Sequence, residues 1–368
     1  MIRPAFSKMV DWPDNWIGVA GQGFTRSGGV GFAVAIVVTY HDDLNEVQGD
    51  AALAELLSAP HARAPFDRIE WWRWLDQHCG HFPLIAVARE GRNRAVLPLL
   101  RKQRGIVALA NWYSFRVAPL VTPGANAPTL LAALATDLAA EAPRITLAPL
   151  PDENGEASLL EQCFRQAGWT VFRRQCDVNH VLPVGGRSFS EYMAARPGPL
   201  RTTLKRKADK VTVSLERQFN PESWAAYKAV YAQSWKPEEG SPAFLRAFAK
   251  AEGAAGRLRL GLAIADGQPV AAQFWTVEHG TAFIHKLAHT QASKPLSPGT
   301  TLSAALFEEV IDRDRVELVD FGTGDDPYKR DWMEAIRPRY ALEMYRPAWP
   351  GNWPRIARTA LRRALGKG

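Results

Sequence analysis

The residues able to do chemistry crowd between Thr281 and Lys329. Asp320 ends the apolar run 316–321, where a partly desolvated carboxylate suits proton abstraction; an aspartate there equally suits capping the turn Gly322-Thr323-Gly324. Tyr328 and Lys329 follow in one loop, the first a proton donor or a packing ring, the second an anion contact or a surface charge. Lys286 interrupts an apolar strand, 281–288, and in a regular strand its neighbour His285 faces the other side. Ser297-Pro298-Gly299-Thr300-Thr301 opens a run with Leu302, Ala305, Leu306 and Val310 at helical spacing. Free amides and the positive end of such a helix hold phosphate, glycine permits close approach, and threonine hydroxyls add donors. Serine and proline alone also make an ordinary helix start. A phosphate cradle, a carboxylate base and a proton donor are the parts that acyl transfer from a phosphorylated thioester needs.

The elements that must position these groups recur. From Ile36 the patterning predicts a strand (36–40), helices (44–57 and 67–78), and strands 83–89 and 94–100 joined by Glu90-Gly91-Arg92-Asn93. Strand 105–110, helix 127–140, strand 144–147, helix 157–167 and a strand from Trp169 complete the set. After a linking helix (189–210), the order repeats: strand 211–219, helices 221–235 and 242–253, strands 257–265 and 269–278. The stretch 281–321, a short helix from Asp331 and strand 339–345 follow. Each half reads β-α-α-β-β-β-α-β-α-β, a repeat of elements and not of residues. Thr122-Pro123-Gly124 in the first half echoes Ser297-Pro298-Gly299 in the second. The division expected is a leader (1–35), two α/β domains (36–184 and 185–346) and a basic tail (347–368).

With 368 residues and a net charge of +7, the chain suits two domains and anionic partners. Cys79, Cys163 and Cys176 share no metal-ligand spacing, so neither a zinc site nor a disulfide framework is expected, and a reducing cytoplasm is the natural compartment. The longest early apolar run, 30–38, is too short for a membrane span, and no signal-peptide pattern is read at the start. Residues 353–367 form a basic, partly amphipathic helix with Arg355, Arg358, Arg362 and Arg363, giving at most peripheral contact with an anionic membrane. There is no ATP-binding glycine loop, serine elbow or H-E-x-x-H, so direct transfer is expected and not a covalent enzyme intermediate.

One ordered set of residues carries a family likeness. It comprises Leu200-Arg201 with Lys205-Arg206-Lys207, Ser234-Trp235, Asp266-Gly267 with Val270-Ala271-Ala272, Lys286, Ser297-Pro298-Gly299, and Asp320 through Lys329. With the doubled element order, this resembles GNAT-superfamily acyltransferases of the CelD-like and FemAB-like group, with the BioF2-like acetyltransferase domain. The resemblance implies tandem GNAT-like domains, each a mixed, mostly antiparallel sheet flanked by helices. It implies acetyl-CoA or another acyl-CoA as co-substrate, no metal, and a sugar or cell-envelope precursor as acceptor, lipid- or nucleotide-linked, from exopolysaccharide or cellulose biosynthesis. In that reading Asp320, Tyr328 and Lys329 are catalytic, and Ser297, Gly299, Thr300 and Thr301 hold the donor. Arg201, Lys205, Trp235, Lys286 and His285 face the acceptor. His289-Thr290 departs from the family's aromatic-acid pair, so no role is carried to it. Two other readings stand beside this one: a FemAB-like aminoacyl-tRNA-dependent transferase that holds tRNA on the basic helix, and a non-catalytic module binding a nucleotide-sugar or polysaccharide.

Overall fold

The computed structural model describes residues 35–103 and 105–365, so all but the last residue of the expected leader lies outside the described residues. The first half runs β1 (Val37–His41), α1 (Leu44–Gly49), α2 (Ala51–Leu56), α3 (Ile69–Cys79), β2 (Pro83–Glu90), β3 (Asn93–Lys102), β4 (Gly105–Ala108), β5 (Leu120–Val121), α4 (Ala127–Glu141), β6 (Arg144–Leu150), α5 (Glu156–Gln166) and β7 (Thr170–Pro183). The second runs α6 (Phe189–Ala194), α7 (Gly198–Lys207), β8 (Thr212–Glu216), α8 (Pro221–Ala232), α9 (Pro242–Ala254), β9 (Leu258–Ala265), β10 (Gln268–Glu278), β11 (Thr281–His289), α10 (Pro298–Glu308), β12 (Leu318–Thr323), α11 (Pro327–Trp332), β13 (Ala335–Tyr345) and α12 (Trp353–Ala364). Two expected helices are broken. Asp50 accepts amide bonds from Ala52 and Leu53, which starts α2 afresh, and Pro197 cannot continue α6, so 189–210 becomes two helices and a tight turn.

All strands join one mixed sheet in the order β1-β2-β3-β4-β6-β13-β7-β12-β11-β10-β9-β8, with β5 beside β3. Only β4 with β6 and β11 with β12 pair in parallel. The order reads alike from either edge, except that the last strands are exchanged. β13 lies between β6 and β7, and β7 lies between β13 and β12. These two pair antiparallel from Ala335↔Val181 to Tyr345↔Thr170.

The halves also share a core. Phe66, Trp71 and Trp72 pack in one cluster with Phe244, Phe248, Phe274 and Phe283. On the other face of β9 and β10, α10 sets Leu302 and Leu306 against Ala263, Ala271 and Trp275. Gly261 allows this approach: a Cβ there would stand 2.8 Å from Leu302 Cδ1. Beneath the shared core, Arg68 donates to Glu252 (2.9 Å) and lies 3.5 Å from Glu278, all three fully enclosed.

Burial pushes the Glu278 carboxyl up to about 7 from an ordinary 4.5, against the pull of Arg68. Between those values the folded chain keeps a proton that the unfolded chain has released, so this site's contribution falls as pH rises through the window. Glu278→Gln should therefore flatten the loss of stability between pH 5 and 8, by up to about 3 kcal/mol. Urea melts of both proteins across that range would show it, and parallel pH curves would refute it.

Candidate active site

The parallel pair β11 and β12 is joined only at Thr281↔Leu318, Ala282↔Val319 and Phe283↔Asp320, although the strands continue to His289 and Thr323. Beyond Phe283 their facing edges part. Two irregularities accompany the parting. In β10–β11 the register slips between Phe274↔Lys286 and Trp275↔Ile284, which leaves His285 bulged out of the ladder. In β12, Gly322 takes φ +66, and a Cβ there would stand 2.9 Å from the Phe115 ring.

A cavity of about 260 Å³ opens at this split. Leu287 and His289 reach it from β11, Phe321 from β12, Tyr328 from α11, and Gly299 and Thr300 from the start of α10. Ser297, in left-handed conformation (φ 54), makes no side-chain cap. Its carbonyl instead takes the Thr300 and Thr301 amides (3.1 and 3.3 Å). The cradle at this helix start is thus narrower than five residues, with Gly299 the amide at its lip. Gln273 Nε2 fixes the turn by donating to Gly299 O (3.1 Å) and Ser303 Oγ (2.7 Å). Lys207 Nζ donates to Ser297 Oγ (3.1 Å), and Lys294 also lines the cavity, so two ammonium groups join the positive helix end. Burial pushes the Tyr328 hydroxyl far up, which keeps it protonated.

Of the expected residues, Ser297, Gly299, Thr300, Trp235 and Tyr328 line this cavity. Thr301 points into the protein and is buried. Arg201 and Lys205 are exposed on α7 and line neither cavity described here. Three expectations need correction. Asp320 is no free base: its buried Oδ1 accepts from Asn179 Nδ2 (2.6 Å) and the Gly322 amide (2.7 Å), and so clamps the bend in β12. Lys329 is no anion contact, because it donates to the carbonyls of Thr323 and Gly324 and closes the same loop from inside. His285 meets no acceptor; it sits among Phe248, Phe274 and Phe283, bonded to Thr276 Oγ1 (2.8 Å), and burial drives its pKa down to about 3. The bulge also defeats strand alternation, so His285 and Lys286 face the same side.

That side holds residues which sequence reasoning missed. A second cavity of about 380 Å³ lies between α8, α9 and their connecting loop, walled by Trp224, Tyr227 and Tyr231 with Lys228, Lys236 and Glu239. Glu239 Oε1 accepts from Lys286 Nζ (2.9 Å) and from the Tyr113 hydroxyl, while its buried Oε2 has no hydrogen-bond partner. The Tyr227 hydroxyl is likewise buried without a partner. Desolvation, then the charge of Lys286, lowers the Lys236 ammonium to about 8. Trp235 lines the first cavity and Lys236 the second, so adjacent residues form part of the wall between them. Tyr113 belongs to the first half: its loop crosses to the second, where the Ser241 amide donates to its hydroxyl (3.0 Å). Lys236-Pro237-Glu238-Glu239-Gly240 has no periodicity and no motif, so nothing in the sequence marks Glu239.

Comparison with known proteins agrees with this geometry. Residues 160–330 match the family described as acetyltransferase (GNAT) domain. No curated protein matches the chain. Among solved structures, FemX is similar at 10% identity, covering 86% of this chain and 99% of its own, with a TM-score of 0.59. L-PGS from Bacillus licheniformis is similar at 12% identity, over 81% and 97%, with a TM-score of 0.51. A tandem GNAT protein from the clavulanic acid biosynthesis pathway is similar at 13% identity, over 84% and 98%, with a TM-score of 0.50. The chain thus carries an acetyltransferase (GNAT) domain over residues 160–330 and is built throughout on the tandem GNAT fold.

Proposed function

We propose that this chain is an acyl-CoA-dependent acyltransferase, acetyl-CoA being the first donor to try. Its acceptor is an amine or hydroxyl of a saccharide from a cell-envelope or exopolysaccharide precursor, such as cellulose. One observation carries the reading. A split between parallel strands receives the start of a helix, and one residue away a second cavity presents a carboxylate oxygen that nothing in the protein satisfies. When bound, acyl-CoA supplies an activated thioester carbonyl and a diphosphate. The Gly299 amide, the α10 terminus, Lys207 and Lys294 hold the diphosphate. The β11 edge beyond Phe283, free of β12, offers backbone groups to the extended arm. Aromatic walls in the second cavity hold the acceptor ring. Glu239 Oε2 takes the proton from the attacking nitrogen or oxygen, and the Tyr328 hydroxyl returns one to the leaving sulfur. No helix among the described residues is long and apolar enough to cross a membrane, and the reading places the reaction in the cytoplasm.

The test is calorimetric titration with acetyl-CoA, followed by thiol release with amino-sugar and neutral sugar acceptors. Failure of every CoA thioester to bind or raise the melting temperature ends the reading. A Cβ at Gly299 would stand 3.5 Å from His289 Cδ2, inside the mouth. Gly299→Val should accordingly lower kcat/KM for the thioester roughly 10²-fold by displacing the donor. Acceptor KM should stay unchanged; an unaltered thioester KM would remove the diphosphate from α10.

The FemAB-like alternative draws on the FemX likeness and on exposed Arg201, Lys205 and Arg206, which share α7 with Lys207 at the mouth. Salt-steep tRNA binding that Lys205→Gln with Arg206→Gln abolishes would favour it.

A further inference from the structure

The helix α12 is attached to the sheet through Asn352, whose Nδ2 donates to Pro143 O (2.7 Å) and Arg346 O (2.9 Å). Beyond that anchor none of its described side chains is buried. At 100° per residue, half-buried Arg355, Ile356 and Thr359 lie together on one side. The other side presents Trp353, Ala357, Leu361 and Ala364, with Leu365 continuing the stripe. Trp353, Leu361 and Leu365 are each 61% exposed, and Trp349 just before the helix is 51% exposed. Arg358 and Arg362 border the stripe, and no Asp or Glu occurs from Arg346 to Leu365. A surface helix ordinarily turns its apolar stripe inward; here the stripe faces water, which marks a surface meant to be covered.

We infer that α12 lays the protein on an anionic lipid bilayer, with the Trp353–Leu361 stripe in the headgroup–acyl boundary and the arginines among acidic headgroups. Charge favours this occupant. An acid-free segment with arginines beside an apolar stripe complements a negative surface, and tryptophans at one end suit the water–lipid boundary. A second copy pairing two-fold through the stripe would bring Arg358 and Arg362 against their own counterparts. The inference stands apart from acyl transfer, since none of these residues lines either cavity.

Flotation of the full chain with vesicles of phosphatidylcholine alone, and with phosphatidylglycerol as a third of the lipid, tests it. The protein should float with the anionic vesicles only, and raising salt from about 0.1 to about 0.5 M should release it. Arg358→Gln with Arg362→Gln should weaken partitioning about 30-fold. Leu361→Glu should abolish it, and melting temperatures should stay unchanged because these side chains are exposed. Absence of anionic-vesicle binding overturns the inference, as does binding by the arginine variant equal to the parent's. A dimer that Leu361→Glu converts to monomer, with no flotation, would assign the stripe to a second copy.

Discussion

Glu239→Gln should lower kcat by about 10²-fold or more while the thioester KM holds, the range expected for loss of a general base. The substitution keeps shape and volume. The amide oxygen can still accept from Lys286 and Tyr113, as Oε1 does now. What disappears is the capacity of the second atom, buried and unpartnered, to take a proton. The pH–rate profile should lose its acidic limb, a change that damage to packing alone would not produce. A variant with the parent's rate would move the base elsewhere and leave donor binding at α10 untouched.

The largest stability effect should come from Arg68→Ala, a loss of about 3–5 kcal/mol. Arg68 comes from the first half, while Glu252 and Glu278 come from the second, and all three are enclosed. Removing the cation strands buried negative charge. Glu252 retains Arg257 (2.7 Å), but neither Glu278 oxygen has a hydrogen bond. Adding Glu278→Gln to Arg68→Ala should therefore recover part of the loss. Denaturant melts of the singles and the double would measure that coupling. Strict additivity would show that Arg68 and Glu278 do not act on each other.

Much of the scaffold was legible because it is local. Alternation in 83–100, the Gly-Arg turn, and the helical stripe after Ser297 each depend on neighbours in sequence, and the structure has strands and helices there. Sites proved harder, since a residue type does not name its partner. Asp320 and Lys329 are the residues chemistry would choose, yet both are consumed in holding the β12 bend. His285 was misplaced by a single-residue bulge, which no alternation rule foresees. Glu239 gains its setting from Tyr113, more than a hundred residues away in the chain, so its own surroundings in sequence are silent.

Because β7 and β13 trade places at the middle of the sheet, the joint near residue 185 is a joint in the chain and not a hinge in the body. Any movement that widened the split beside β12 would have to shear a ladder on which β6 also depends. The donor cleft is therefore braced from behind by the opposite repeat, and its rigidity is set by a seam that neither repeat owns.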